Sequence, residues 1–220
     1  MLVTFQSNIL LSQDYTQTKE TQSKLTTQTA IQMLKDGNKR FLDNTELHRD
    51  FLAQVHKTAD GQYPFAFILS CIDSRTSSEI IFDQGIGDIF NGRVAGNIID
   101  EDILGGMEYS CKVVGAKVIL VIGHTHCGAI KGACDDVKLG NLTALISKIK
   151  GPVQSVKTEK GEERTSKNHE FVEHVSKANV LNSIAEIKSK SSILKEMSDK
   201  GEIIIVGAMY DVDTGEVTFY

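Results

Sequence analysis

Three short apolar runs stand out along the chain: PFAFILS at 64–70, KVILVI at 117–122 and IIIVGAM at 203–209. None alternates apolar with polar over its length, so each reads as a strand covered on both faces. Asp88 to Val94 is a weaker strand, and Asp213-Thr214-Gly215 turns the chain into a short terminal one. Between the strands the period is helical. Ile31, Leu34, Phe41 and Leu42 can share one face of a helix that opens near Thr27, with Thr27 or Thr29 as its cap. Further helices are expected over 48–58, 101–114, 128–137, 141–149 and 169–200, the last broken near Lys190. In the 101–114 helix Ile103, Leu104, Met107 and Cys111 fall on one side. Asp60-Gly61 marks a turn, and the charged stretch 155–168 reads as a loop. Buried strands separated by helices specify an α/β fold: a single domain with a mostly parallel β-sheet flanked by helices, plus an N-terminal helical arm.

Residues 12–29 are rich in Gln, Thr, Ser and Lys and read as a polar arm, disordered alone or ordered against a partner. The division expected is an arm at 1–26 and a domain at 27–220. The Ile31/Leu34/Phe41 face has little partner surface in one small domain and is expected to pack on a second subunit. Met1 to Leu11 carries no Lys or Arg ahead of its apolar residues and no Ala-x-Ala site, so a cytoplasmic protein is expected.

Composition narrows the function classes. A chain of 220 residues buries a core without disulfide staples. With 24 Lys plus Arg against 29 Asp plus Glu, the net charge of −5 argues against nucleic acid as the main partner. No apolar run approaches the roughly 20 residues that span a bilayer, so no membrane partner is expected. The four cysteines, Cys71, Cys111, Cys127 and Cys134, are too few for a disulfide framework in a chain this long, and read as reduced thiols or metal ligands.

Two of the strong strands run into such ligands. The first ends in Cys71-Ile72-Asp73-Ser74-Arg75, the second in Gly123-His124-Thr125-His126-Cys127-Gly128. In an open α/β sheet, functional groups gather where parallel strands end. If these two strands are neighbours, Cys71, His124 and Cys127 converge at one sheet edge. Two thiolates and one imidazole suit zinc, and three protein ligands leave a fourth position free, as catalytic zinc requires. Asp73 lies within reach of that position. Cys111 and Cys134 read as small apolar residues of the core. A redox pair is disfavoured because no Cys-x-x-Cys occurs. His126, alternating with His124, reads as an outer or surface residue.

Cys71-Ile72-Asp73-Ser74-Arg75, followed 53 residues after Cys71 by His124-Thr125-His126-Cys127-Gly128, resembles the signature of the β-carbonic anhydrases. Gly37-Asn38-Lys39-Arg40-Phe41, Asp83-Gln84-Gly85-Ile86-Gly87-Asp88, Arg93-Val94-Ala95-Gly96-Asn97 and Tyr210-Asp211-Val212 also match family blocks. The resemblance runs in order from about Thr27 to Tyr220. It implies a zinc-dependent enzyme for the reversible hydration of carbon dioxide to bicarbonate, with Zn2+ held by Cys71, His124 and Cys127. It implies a dyad in which Arg75 holds Asp73 off the metal in an open form, while Asp73 itself ligates zinc in a closed form. The substrate pocket of plant-like members would be Gln62, Phe90 and Tyr109, with Ala95 in place of Val. It also implies a homodimer or homotetramer, in which Gln62 and Tyr109 serve the partner's zinc.

There are departures. Asn91 and Gly92 stand where the family is usually apolar and branched, which is expected to loosen that strand. Members regulated by bicarbonate bind it through a Trp, an Arg and a Tyr; Arg93 and Tyr210 match, but Ile68 holds the Trp position. Two other readings remain open. One is a hydrolase of carbon disulfide or carbonyl sulfide on the same zinc. The other is a zinc-binding protein without turnover, which Asp73 and Arg75 speak against, since a structural site needs neither.

Overall fold

The computed structural model describes residues 15–220. In chain order these form α1 (Lys19–Ser23), α2 (Thr27–Asp43), α3 (Phe51–Thr58), β1 (Ala66–Ser70), α4 (Ser78–Ile81) and β2 (Ile89–Arg93). A 3-10 turn at Ala95–Asn97 leads to α5 (Glu101–Glu108), a π-helical turn at Tyr109–Val114, and β3 (Val118–His124). Then follow α6 (Gly128–Cys134), α7 (Gly140–Ser147), α8 (Lys150–Ser155), α9 (His169–Lys190), α10 (Ser192–Asp199), β4 (Ile204–Tyr210) and β5 (Val217–Phe219).

The strands form one sheet in the order β2-β1-β3-β4-β5, with every pair parallel except β4 with β5. Period-two alternation divides the sheet into two cores. Phe67, Leu69, Ile119, Val121 and Ile205 face one side, under Met107, Cys111, Val180, Ile187, Leu194 and Met197. Ala66, Ile68, Val118, Leu120, Ile122 and Ala208 face the other, under Ala30, Leu34, Ile81 and Phe82. Because both faces are covered, the strands are apolar throughout rather than alternating. A third cluster, with Ile130, Ile149, Phe171, Val172 and Val175, caps the C-terminal ends of β1 and β3 around Cys71 and Cys127.

Several boundaries differ from those read in the sequence, each for a local reason. The helix near Thr27 is capped by Thr26, whose hydroxyl accepts the Thr29 amide while Thr29 closes the reciprocal bond. The helix expected from His48 begins at Phe51, because the Asp50 carboxylate accepts the Ala53 amide. The 101–114 helix is α-helical only to Glu108; the chain then widens into the π turn, which stops at Gly115 with φ 98°. The 155–168 loop starts one residue later, since α8 runs to Ser155. Asn91 and Gly92 do not loosen β2: both stay in register with Ile68 and Leu69, and the Asn91 amide donates to Glu79 at 2.6 Å.

Leu34 and Ala30 are fully buried against this chain's own sheet, and Ile31 packs on the same cluster, so the α2 face finds its partner within one subunit. Leu42 is exposed instead. Of the polar arm, residues 1–14 lie outside the described residues. The remainder is built into the body: α1 is capped by Thr18 with Thr21, the Gln22 amide donates to the Pro64 carbonyl at 2.8 Å, and the Gln17 amide donates to buried Asp88. No helix among the described residues is long and apolar enough to cross a membrane.

Candidate metal centre

β1 and β3 are parallel neighbours in register, Ala66 opposite Val118 and Leu69 opposite Val121. Their C-terminal ends therefore reach one edge together. Cys71 follows the last residue of β1, His124 is the last residue of β3, and Cys127 caps α6 three residues on. The three side chains are buried, and their donor atoms lie within 4.8 Å of one another. They form the one such group among the described residues.

The chemistry of this set fits a zinc ion. Sγ of Cys71 and Sγ of Cys127 are 4.0 Å apart. Two sulfurs at about 2.3 Å from one tetrahedral ion would stand about 3.8 Å apart. The His124 ring holds Nδ1 2.8 Å from the Thr125 carbonyl, and a carbonyl only accepts. Nδ1 therefore carries the proton, and Nε2 offers its lone pair. That Nε2 is buried with no hydrogen-bond partner, which is costly unless something else takes the lone pair. The two thiols share one hydrogen bond, which pulls the Cys71 thiol down and pushes Cys127 up. Burial raises the other two thiols, Cys111 in the core to about 12 and the partly buried Cys134 to about 11.

Asp73 stands at the open side of the set, its Oδ2 3.9 Å from His124 Nε2. Arg75 grips it with Nε to Oδ1 at 2.9 Å and Nη2 to Oδ2 at 2.8 Å, and the Arg75 amide adds a third bond at 3.0 Å. These bonds hold the Asp73 carboxyl well below the usual carboxylate range. The loop carrying both residues is fastened by its carbonyls. Arg93 on β2 donates to the carbonyls of Cys71 (3.0 Å) and Asp73 (2.6 Å), and buried Thr76 donates to the same two at 3.1 and 2.9 Å. The amide of Gly96 donates to Cys71 Sγ at 3.4 Å. The sequence assigns no role to Thr76 or to the Gly96 amide, because side-chain bonds to carbonyls and amide bonds to sulfur follow no periodic pattern. For Arg93 the sequence offers only a match to the Arg that binds bicarbonate in regulated members.

The remaining expected residues are placed as follows. His126 lies outside this group: its Nε2 is 3.0 Å from Asp213 Oδ2, and its amide donates to Glu173. Phe90 on β2 and Tyr109 at the start of the π turn meet edge to face, ring centroids 6.1 Å apart, and Tyr109 is half exposed. Ala95 opens the 3-10 turn beside Gly96. Gln62 is exposed and precedes β1, so the length of that strand, about 16 Å at 3.3 Å per residue, separates it from Cys71 of its own chain.

Residues 66–217 match the family model described as carbonic anhydrase. "Carbonic anhydrase 2" of Mycobacterium tuberculosis is 35% identical over 193 residues, covering 84% of this chain and 89% of that protein. The solved β-carbonic anhydrase CcaA superposes with a TM-score of 0.68 at 23% identity, covering 87% of this chain and 88% of that one. A tetrameric β-carbonic anhydrase from Sordaria macrospora does so with a TM-score of 0.63 at 22% identity over 76% of this chain and 88% of its own.

Proposed function

The chain belongs to the β-class carbonic anhydrase family, and on that premise we propose that it catalyses the zinc-dependent, reversible hydration of carbon dioxide to bicarbonate and a proton. The observation that carries this reading is the lone pair of His124 Nε2, buried and unpartnered, facing two thiols beside a carboxylate that is held from the other side. Cys71, His124 and Cys127 would hold the ion. Bound there, zinc supplies a water acidic enough to act as hydroxide near neutral pH, with two thiolates making it somewhat less acidic than three imidazoles would.

The protein's part is positioning. Asp73 stays ionised and accepts a hydrogen bond from the attacking oxygen, which would turn a lone pair of that oxygen toward the carbon of carbon dioxide. Arg75 keeps that carboxylate charged and off the ligand set. Arg93 and Thr76 fix the carbonyls on either side of it, so the nucleophile's partner does not drift. Phe90, Ala95 and Tyr109 give an apolar gas a dry wall.

Gln62 supplies an amide donor to a substrate oxygen, and it does so across a dimer. Its place at the far end of β1 supports that assignment, since it cannot serve its own chain's Cys71. So do the open edge at β2 and the exposed Phe51, Leu52 and Val55 on one face of α3, which together offer a surface for a second copy. A cytoplasmic location fits four free cysteines.

The test is stopped-flow hydration of carbon dioxide by the zinc-loaded chain, run beside hydrolysis assays with carbon disulfide and carbonyl sulfide. Turnover of the sulfur substrates alone would move the protein to a hydrolase; zinc uptake with no turnover of any substrate would make it a binding protein.

A further inference from the structure

Resting on this metal reading, we propose that Asn179 is a positioning residue for the centre: from the middle of α9 it fixes the turn at Gly96 so that the Gly96 amide donates to the Cys71 sulfur. The buried face of a helix over a sheet is ordinarily apolar, and a buried amide is costly unless it is bonded. α9 nevertheless turns Asn179 and Ser183 into the core among Val172, Val175, Val180 and Ile187. Asn179 Nδ2 donates to the Gly96 carbonyl at 2.7 Å, and Ser183 Oγ donates to the Asn97 carbonyl at 3.0 Å.

Those carbonyls belong to two successive residues in the left-handed region, Gly96 with φ 69° and Asn97 with φ 42°. A non-glycine residue there persists only when its surroundings hold it. A side chain at Gly96 would be strained by its φ of 69° and would put a Cβ 2.7 Å from Ile149 Cδ1, which would have to move. Held in this way, the turn aims the Gly96 N–H at Cys71 Sγ, 3.4 Å away. A hydrogen bond to a thiolate draws charge from the sulfur, so its lone pair lies lower, and the same bond holds the sulfur in the place a metal needs it, so that less ordering is left for binding. Asn179 touches neither metal nor substrate; it acts on Cys71 through two hydrogen bonds and the turn between them. A leucine has the same branched heavy-atom shape but offers the carbonyl no donor.

The wild-type chain loaded with cadmium-113 should show scalar coupling between the metal and the Gly96 amide proton across the N–H···S bond. In the cobalt(II)-loaded chain, Asn179→Leu should move the sulfur-to-metal charge-transfer band to longer wavelength. The same variant should weaken metal binding about 10–100-fold in chelator competition, the usual loss for an outer partner of a ligand. Ile187→Val, on the same helix and away from the turn, is the control: it should lower the melting temperature and leave the band in place. Uptake of cadmium without coupling at Gly96, or an Asn179→Leu chain with unchanged band and affinity, overturns the assignment. Should Asn179→Leu fail to fold, Asn179→Ala, which removes the same donor, is read in its place, and an unchanged band and affinity there overturns the role. A wild-type chain that takes up neither cadmium nor cobalt is a different result, one that removes the metal centre itself and this role with it.

Discussion

Arg75 meets Asp73 with two parallel N–H···O bonds, 2.9 and 2.8 Å long, the fork-to-fork geometry that only a guanidinium gives a carboxylate. The pair is partly exposed, yet it bears on the neighbouring ligands because Asp73 lies two residues past Cys71. Arg75→Ala should therefore release the carboxylate toward the metal and lower kcat/KM by about 10²-fold, the upper end for losing such a partner. Arg75→Lys should recover part of the loss, since an ammonium replaces the charge but not the fork. Stopped-flow rates on chains matched for zinc content check both, and equal activity in all three proteins would remove the dyad from the mechanism.

Metal content should divide the cysteines by position. Cys71→Ser and Cys127→Ser should lose most bound zinc, whereas Cys111→Ser and Cys134→Ser should keep it. Elemental analysis of the purified variants decides this; full occupancy in Cys71→Ser contradicts the ligand set.

Arg93 spends its Nε and Nη2 on the carbonyls of Cys71 and Asp73, and Ile68, opposite Asn91 on the neighbouring strand, is fully buried in the core. A bicarbonate ion would have to compete with those bonds and would find no indole. Activity should accordingly rise through a single ionisation between roughly pH 7 and 8.5, the range for water on zinc, and added bicarbonate should not make the profile steep. A cooperative, bicarbonate-inhibited profile would place the chain in the regulated subgroup instead.

Asp88 sets a pH dependence of stability away from the metal centre. Burial pushes its carboxyl up, against the amides of Gly85 and Gln17 that favour the charged form. A folded pKa above the unfolded value near 3.9 means that the folded chain holds the proton more tightly. Its contribution is complete below about pH 4 and is lost as pH rises through the folded value. Wild-type stability measured against Asp88→Asn should thus decline as pH rises from about 4 toward neutrality, whatever the constant offset between the two. Denaturant melts across that range read the slope, and a flat or rising difference refutes it.

The exposed α3 face should matter only to assembly. Leu52→Glu ought to shift the chain toward monomer in sedimentation and lower carbon dioxide hydration, because Gln62 would no longer reach a partner's centre. The melting temperature extrapolated to low protein concentration should hardly move. A variant that is monomeric and fully active would return Gln62 to the role of a solvated turn residue.

Much of this site was legible in the residues. PFAFILS and KVILVI read as buried strands because both faces of the sheet are covered, and the ligands stand at the two strand ends that parallel pairing brings together. What stayed hidden lies in contacts without a period. The helix α1 is closed by Thr18 with Thr21, a capping pair that lacks the usual Glu or Gln at its third position. Arg93, Thr76 and Asn179 act on carbonyls supplied by residues 3 to 83 positions away, and nothing in their own neighbourhoods announces it.

The register between β1 and β3 has a consequence for how the chain reaches its native state. The two strands are some fifty residues apart in sequence, so their pairing is non-local and slow to find. A slip of one residue would turn every side chain of β1 to the opposite face and carry Cys71 away from His124 and Cys127. Only one alignment presents all three donors at once. On the proposed metal reading, uptake of the ion would therefore work as a checksum on the sheet, passing correctly paired chains and leaving misregistered ones without the ion that would lock them.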